Sequence, residues 1–198
     1  MHPSEIVLPD VWKDSKATIH SVTRALKDYH FNPFKDMRYA AVAQGVDRRS
    51  WIQCFDVLND MSEIHTIMLP KNLDEVWGYG GRYAAACYLS ATGRVKPEKD
   101  YHLLGVWTDP IEVYLHAVHN PWIRSLDTAL AFHSGYQGVS LKYLAKYGGN
   151  KPRRPYGYFD LPHPTLVAAK TISDNMKMLD RWAVGADLPD TTVRPKNE

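Results

Sequence analysis

Cysteine is scarce: Cys54 and Cys87 are the whole complement. Two thiols in separate apolar stretches build no disulfide framework. No CxxC pair occurs, which excludes a thiolate zinc site or a dithiol redox site at the motif level. Two buried thiols acting as small hydrophobes are expected, and a reducing, intracellular compartment follows, cytoplasmic or organellar matrix. Long apolar runs are also missing, whereas a membrane-spanning helix needs about 20 such residues. The first ten residues carry Glu5, Asp10 and two prolines, not the basic-then-apolar pattern of a secretory signal. Gly 12 and Pro 13 are too few for a collagen-like or low-complexity chain. Charge of one sign is lacking overall: the net of +2 is too weak to argue for nucleic acid.

What is present is a globular composition, 44% hydrophobic and 23% charged over 198 residues. Punctuation along the chain is helical. Asp14 or Ser15 caps a helix to about His30, with Ile19, Val22, Leu26 and Tyr29 at helical spacing. Met37 to Gln44 reads as a short Ala-rich helix closed by Gly45. Asp47 or Ser50 opens the next, with Trp51, Phe55, Leu58 and Met61 on one face; His65 to Leu69 is β-branched enough for a short extended piece. Asn72 with Glu75 forms a capping-box pattern for a helix to about Thr92, interrupted early by Gly78, Gly80 and Gly81. Asp109-Pro110 and Asn120-Pro121 open two more helices, the second reaching about Ser134. Further helices follow over roughly 139–147 and from Pro164 to about Ala183. Val167, Ile172, Met176, Leu179 and Trp182 mark the buried face of the last.

The expectation is therefore mostly α: a single compact domain of about eight short-to-medium helices with irregular, proline-bearing extensions. The organisation predicted is an N-terminal extension over 1–13, a helical domain over 14–185 and a C-terminal tail over 186–198.

Two groups of residues carry the chemistry the sequence offers. Glu112, His116 and His119 stand at i, i+4 and i+7 of one helix, and a carboxylate with two imidazoles can ligate a divalent metal. Asp127 and His133 would stand behind them. The bland alternative, imidazoles bonded to nearby backbone or carboxylates, weighs more heavily, and no cofactor is expected outside the metal reading. The second group is a charge asymmetry. Residues 128–159 contain no Asp or Glu, yet hold Lys142, Lys146, Lys151, Arg153 and Arg154 among tyrosines that include Tyr156 and Tyr158. Basic side chains interleaved with aromatics suit an acidic protein surface, anionic headgroups or a phosphate backbone.

Trp 6 and Tyr 12 add residue types favoured at interfaces. The reading these features favour is a non-catalytic helical subunit of a larger assembly, an organellar complex or a virion. It would dock on other protein subunits through its termini and the basic-aromatic segment. The runner-up is a small helical metal-dependent enzyme using Glu112, His116 and His119. A nucleic-acid-associated protein using the 142–159 segment comes third.

Overall fold

The computed structural model describes residues 4–29, 37–78, 80–106, 109–147 and 163–187. It is an α/β protein. The elements run β1 (Glu5–Val7), α1 (Ser15–Tyr29), β2 (Arg38–Val42), α2 (Arg48–Asp60), β3 (Ile64–Pro70), α3 (Leu73–Trp77), α4 (Gly81–Ala91) and β4 (Asp100–Leu104). They continue with α5 (Ile111–His119), β5 (Ser125–Leu126), α6 (Leu130–Tyr136), α7 (Leu141–Tyr147) and α8 (Leu166–Ala183). The all-α expectation is overturned by a five-stranded sheet in the order β1-β2-β3-β4-β5, parallel at every pairing. Strand–crossover–strand units are right-handed almost without exception. Repeated between neighbours, they curl the sheet into a half-barrel.

Two compact units divide the chain. The first comprises residues 1–104 and 122–126; the second comprises 105–121 and 127–198.

In the first unit the strand register sorts side chains onto two faces. Ile67 and Leu69 of β3 align with Tyr101 and Leu103 of β4, and all four are fully buried. Phe55 of α2 stacks on Tyr101 with ring centroids 6.2 Å apart, so α2 covers this face. On the other face Ala40, Val42 and Met68 pack together, with Leu104 beside them. Strands buried on both faces lose the apolar–polar alternation that marks a half-exposed strand. That is why Met37 to Gln44, expected as a helix, forms β2 instead. The short extended piece expected at His65 to Leu69 is β3. β1 lies in the segment expected to be irregular.

The caps behave as their chemistry requires. Asp14 accepts the Ala17 N–H at 3.0 Å and opens α1. Asp47 accepts the Ser50 N–H at 2.7 Å, and Ser50 Oγ returns to the Asp47 backbone. The helix expected from Asn72 to Thr92 is broken into α3 and α4 by Gly78, Gly80 and Gly81, all at positive φ.

At the amino ends of the strands, Arg38 pairs with Asp100 and lies 3.6 Å from Glu5. Arg124 reaches Asp100 at 2.8 Å and Glu5 at 3.7 Å. Thr66 Oγ1 donates to Glu5. This ring of charge links β1, β2, β3, β4 and the approach to β5, at the edge that serves stability in parallel α/β barrels.

The second unit is helical among its described residues. Gly135 lets α6 approach α8 so closely that a Cβ there would lie 2.6 Å from Ile172 Cα. Asn175, 1% exposed, accepts the Leu141 N–H at 2.8 Å and donates to the carbonyls of Ala131 and Val139. Trp182 is buried as expected, but Val167 and Met176, expected on the buried face of α8, are exposed. The helix expected to begin at Trp122 starts only at Leu130, because β5 intervenes.

Candidate functional site

Parallel α/β sheets bind ligands beyond the carboxyl ends of their strands, where loops and side chains converge. In the first unit those ends carry a polar cluster. β1 runs into Leu8, Pro9 and Asp10; β2 runs into Ala43, Gln44 and Gly45; β3 runs into Lys71 and Asn72.

Gln44 is the centre of this cluster and is 4% exposed. Its Nε2 donates to Asp10 at 2.7 Å. Its Oε1 accepts Asn72 Nδ2 at 2.9 Å and the Lys13 backbone N–H at 3.2 Å. Its own N–H donates to Cys54 Sγ at 3.4 Å. An ionised carboxylate only accepts, so Asp10 fixes which way the Gln44 amide faces. Gln44 in turn fixes Asn72, which turns its NH₂ inward. Asn72 Oδ1 is buried and has no hydrogen-bond partner among the described residues. A buried acceptor left unpaired costs roughly 1–3 kcal/mol unless something arrives to satisfy it.

The backbone around the cluster is constrained. Lys13 has φ 59, a left-handed conformation uncommon for a side-chain-bearing residue. That conformation belongs to the turn from which its N–H reaches Gln44. Gly45 admits no side chain, since a Cβ would lie 2.6 Å from Trp51 Cα. This close approach lets Trp51 Nε1 donate to the Ala43 carbonyl at 2.9 Å, fixing the end of β2. Exposed apolar groups flank the cluster: Trp12, 68% exposed with Lys13 Nζ 4.6 Å from its ring centroid, and Val46.

Two neighbouring features read as structural. Arg82, buried on α4, donates to the carbonyls of Leu69 at 3.1 Å and Leu104 at 2.7 Å, closing the ends of β3 and β4. Asp74 accepts the Arg82 N–H at 3.1 Å, so the chain's own carboxylate occupies the amino end of α4. Burial pushes the phenol of Tyr83 upward, with the adjacent Cys87 adding to the shift.

The residues singled out in the sequence fall elsewhere. His116 is buried and lies 3.6 Å from Glu112, while Asn120 Nδ2 is 3.4 Å from its Nδ1. His119 is exposed on the same helix. His133 is buried beside Phe132, and Asp127 Oδ1 accepts the Gly105 N–H at 2.8 Å. Among the described residues no three His, Cys, Asp or Glu side chains are grouped to hold a metal ion. Lys142 and Lys146 lie on α7. Lys151, Arg153, Arg154, Tyr156 and Tyr158 lie outside the described residues, as does the C-terminal tail beyond Asp187. No helix among the described residues is long and apolar enough to cross a membrane.

Sequence reasoning missed Asp10, Lys13, Gln44 and Asn72. Their signal is positional: each follows a strand end, which becomes meaningful only once the strands and their common direction are known.

Fold and site together define an α/β protein with a parallel half-barrel and a polar cluster at its carboxyl edge. Compared with known proteins, the chain matches no family model and no curated relative.

Proposed function

We propose that this chain binds a small polar molecule at the carboxyl edge of its sheet, against Asp10, Gln44 and Asn72. The observation that carries the reading is the buried, unpaired Oδ1 of Asn72, held in place through Gln44 and Asp10. A few convergent polar groups beside exposed apolar side chains make the usual composition of a ligand site. The low-molecular-mass filtrate of a cell extract should raise the melting temperature of the wild-type chain, since a ligand that binds the native state stabilises it. Asn72→Ala and Asp10→Ala should lose that rise. Equal shifts in all three proteins, or none, would remove the support for the site.

A second reading, a subunit of a larger assembly, draws on α8. Leu166, Val167 and Met176 are exposed there, with Leu166 at 91%, as is Val184 just past its end. Exposed apolar groups of this density are common at interfaces. The native mass of the protein isolated from its source, with its co-purifying chains identified, tests that reading.

A further inference from the structure

The carboxyl-edge cluster has a direction to its hydrogen bonding. Its nitrogens are engaged internally: Gln44 Nε2 donates to Asp10, Asn72 Nδ2 donates to Gln44 Oε1, and the Lys13 backbone N–H ends on the same Oε1. The Lys13 ammonium is held by Glu75 at 2.5 Å. What the cluster leaves over is acceptors. Asn72 Oδ1 is buried and has no hydrogen-bond partner among the described residues. Asp10 is exposed, and its carboxylate has room for donors beyond the one from Gln44. A single carboxamide, that of Gln44, separates the side chains of Asn72 and Asp10, so a small molecule can span both.

We infer, on the carboxyl-edge reading proposed above, that the ligand is a small organic cation, an alkylammonium or alkylguanidinium, whose N–H groups donate to Asn72 Oδ1 and to the Asp10 carboxylate. Ammonium and guanidinium groups carry donors and no acceptor. They satisfy the orphaned oxygen without bringing one of their own. A hydroxyl, a carboxamide or a urea brings a lone pair along with its proton, and an anion sets lone pairs against lone pairs. Contact between an ionised donor and the Asp10 carboxylate is charge-assisted, roughly twice as strong as a neutral hydrogen bond. Lys13 and Lys71 equal Asp10 and Glu75 in number, so the selection comes from hydrogen-bond polarity rather than from net charge. Trp12 supplies a π surface of the kind a cation seeks: its indole, 68% exposed, already holds the Lys13 ammonium 4.6 Å from the ring centroid.

The test uses the full chain, three defined probes and the cell-extract filtrate. n-Butylguanidinium and n-butylurea share a shape and differ in charge and in the urea oxygen; n-butyrate is the anion. Binding is read from the melting temperature and from the side-chain NH₂ resonances of Asn72. Butylguanidinium should shift both. Butylurea should bind at least about tenfold more weakly, and butyrate should shift neither at matched ionic strength. Asp10→Asn, which keeps an acceptor for Gln44, should weaken butylguanidinium about tenfold or more. The probe comparison needs only the wild-type chain, so it stands whether or not the variant folds. Passing the filtrate through a cation exchanger, with inorganic salts restored, should remove its stabilising effect; an anion exchanger should leave the effect intact. A filtrate effect that needs Asn72 yet survives the cation exchanger overturns the cation and leaves the site standing. A filtrate without any Asn72-dependent effect removes the support for the site itself. Butylurea or butyrate binding as tightly as butylguanidinium, or Asn72 resonances unmoved throughout the butylguanidinium titration, also overturns the inference.

Discussion

Cys54 is a small residue whose position has chemical consequences. It is fully buried on α2 and accepts the Gln44 N–H through its sulfur. Burial pushes its thiol from the ordinary 9.0 up to about 11, opposed in part by the Gln44 hydrogen bond. The folded chain therefore holds this proton more tightly than the unfolded chain does. The associated stability is complete below about pH 9 and is lost as pH rises through about 11. Tyr101, whose phenol burial also raises, adds to the same alkaline decline. Denaturant titrations across this window should show stability falling. In Cys54→Ala the decline should be shallower by up to about 2–3 kcal/mol at its alkaline end, the equivalent of a two-unit shift. Identical alkaline profiles would show that the thiol does not titrate against burial. Cysteine scarcity alone predicted inert thiols; it did not reveal that one of them holds the residue at the centre of the site.

At the scale of elements, the crossing of α6 and α8 rests on Gly135. An added Cβ would fall 2.6 Å from both the N and the Cα of Ile172, and these backbone atoms cannot swing aside as a side-chain tip can. Gly135→Ala should destabilise the chain by about 1–3 kcal/mol, the cost of overpacking, despite the better helix propensity of Ala. An unchanged or raised midpoint in a denaturant titration would show that the two helices separate without penalty. Elements with local chemistry were legible in the sequence. Asp14 and Asp47 cap α1 and α2 through short side-chain contacts, and such signals lie within a few residues of each other. β2 was not legible, because Arg38-Tyr-Ala-Ala-Val is buried largely through pairing with β1 and β3, and its alanines favour a helix by propensity. Asn72 looked like a helix cap by its spacing. Its side chain instead bonds Gln44, a residue 28 positions earlier that no local rule connects to it. The candidate site was illegible for the same reason: it is assembled from three strand ends that adjoin only in the folded sheet.

For the molecule as a whole, the sheet of the first unit is an arc and not a closed barrel. Five parallel strands leave two edges, whereas a closed parallel barrel of eight leaves none. The chain keeps both edges short: β1 has three residues and β5 has two, while β3 at the centre has seven. Short edges limit the row of unpaired backbone groups that invites another strand. The same gradation should set local stability. β3 pairs with β2 on one side and β4 on the other, and Ile64, Thr66, Ile67 and Leu69 are at most 1% exposed. Opening it breaks two ladders and exposes the core, so its amides should exchange only through global unfolding. β1 is tied by one ladder to β2 and by the contacts of Glu5 with Arg38, Thr66 and Arg124, and Val7 is 52% exposed. Its amides should exchange faster than those of β3 by local opening that leaves the centre intact. Residue-resolved hydrogen exchange checks this ordering, and Arg38→Met, which removes one member of the charge ring, should widen the gap by loosening β1 first. If β1 instead exchanges as slowly as β3 in the wild-type chain, its outer edge is covered in solution. The half-barrel would then be one side of an interface rather than an arc with free ends.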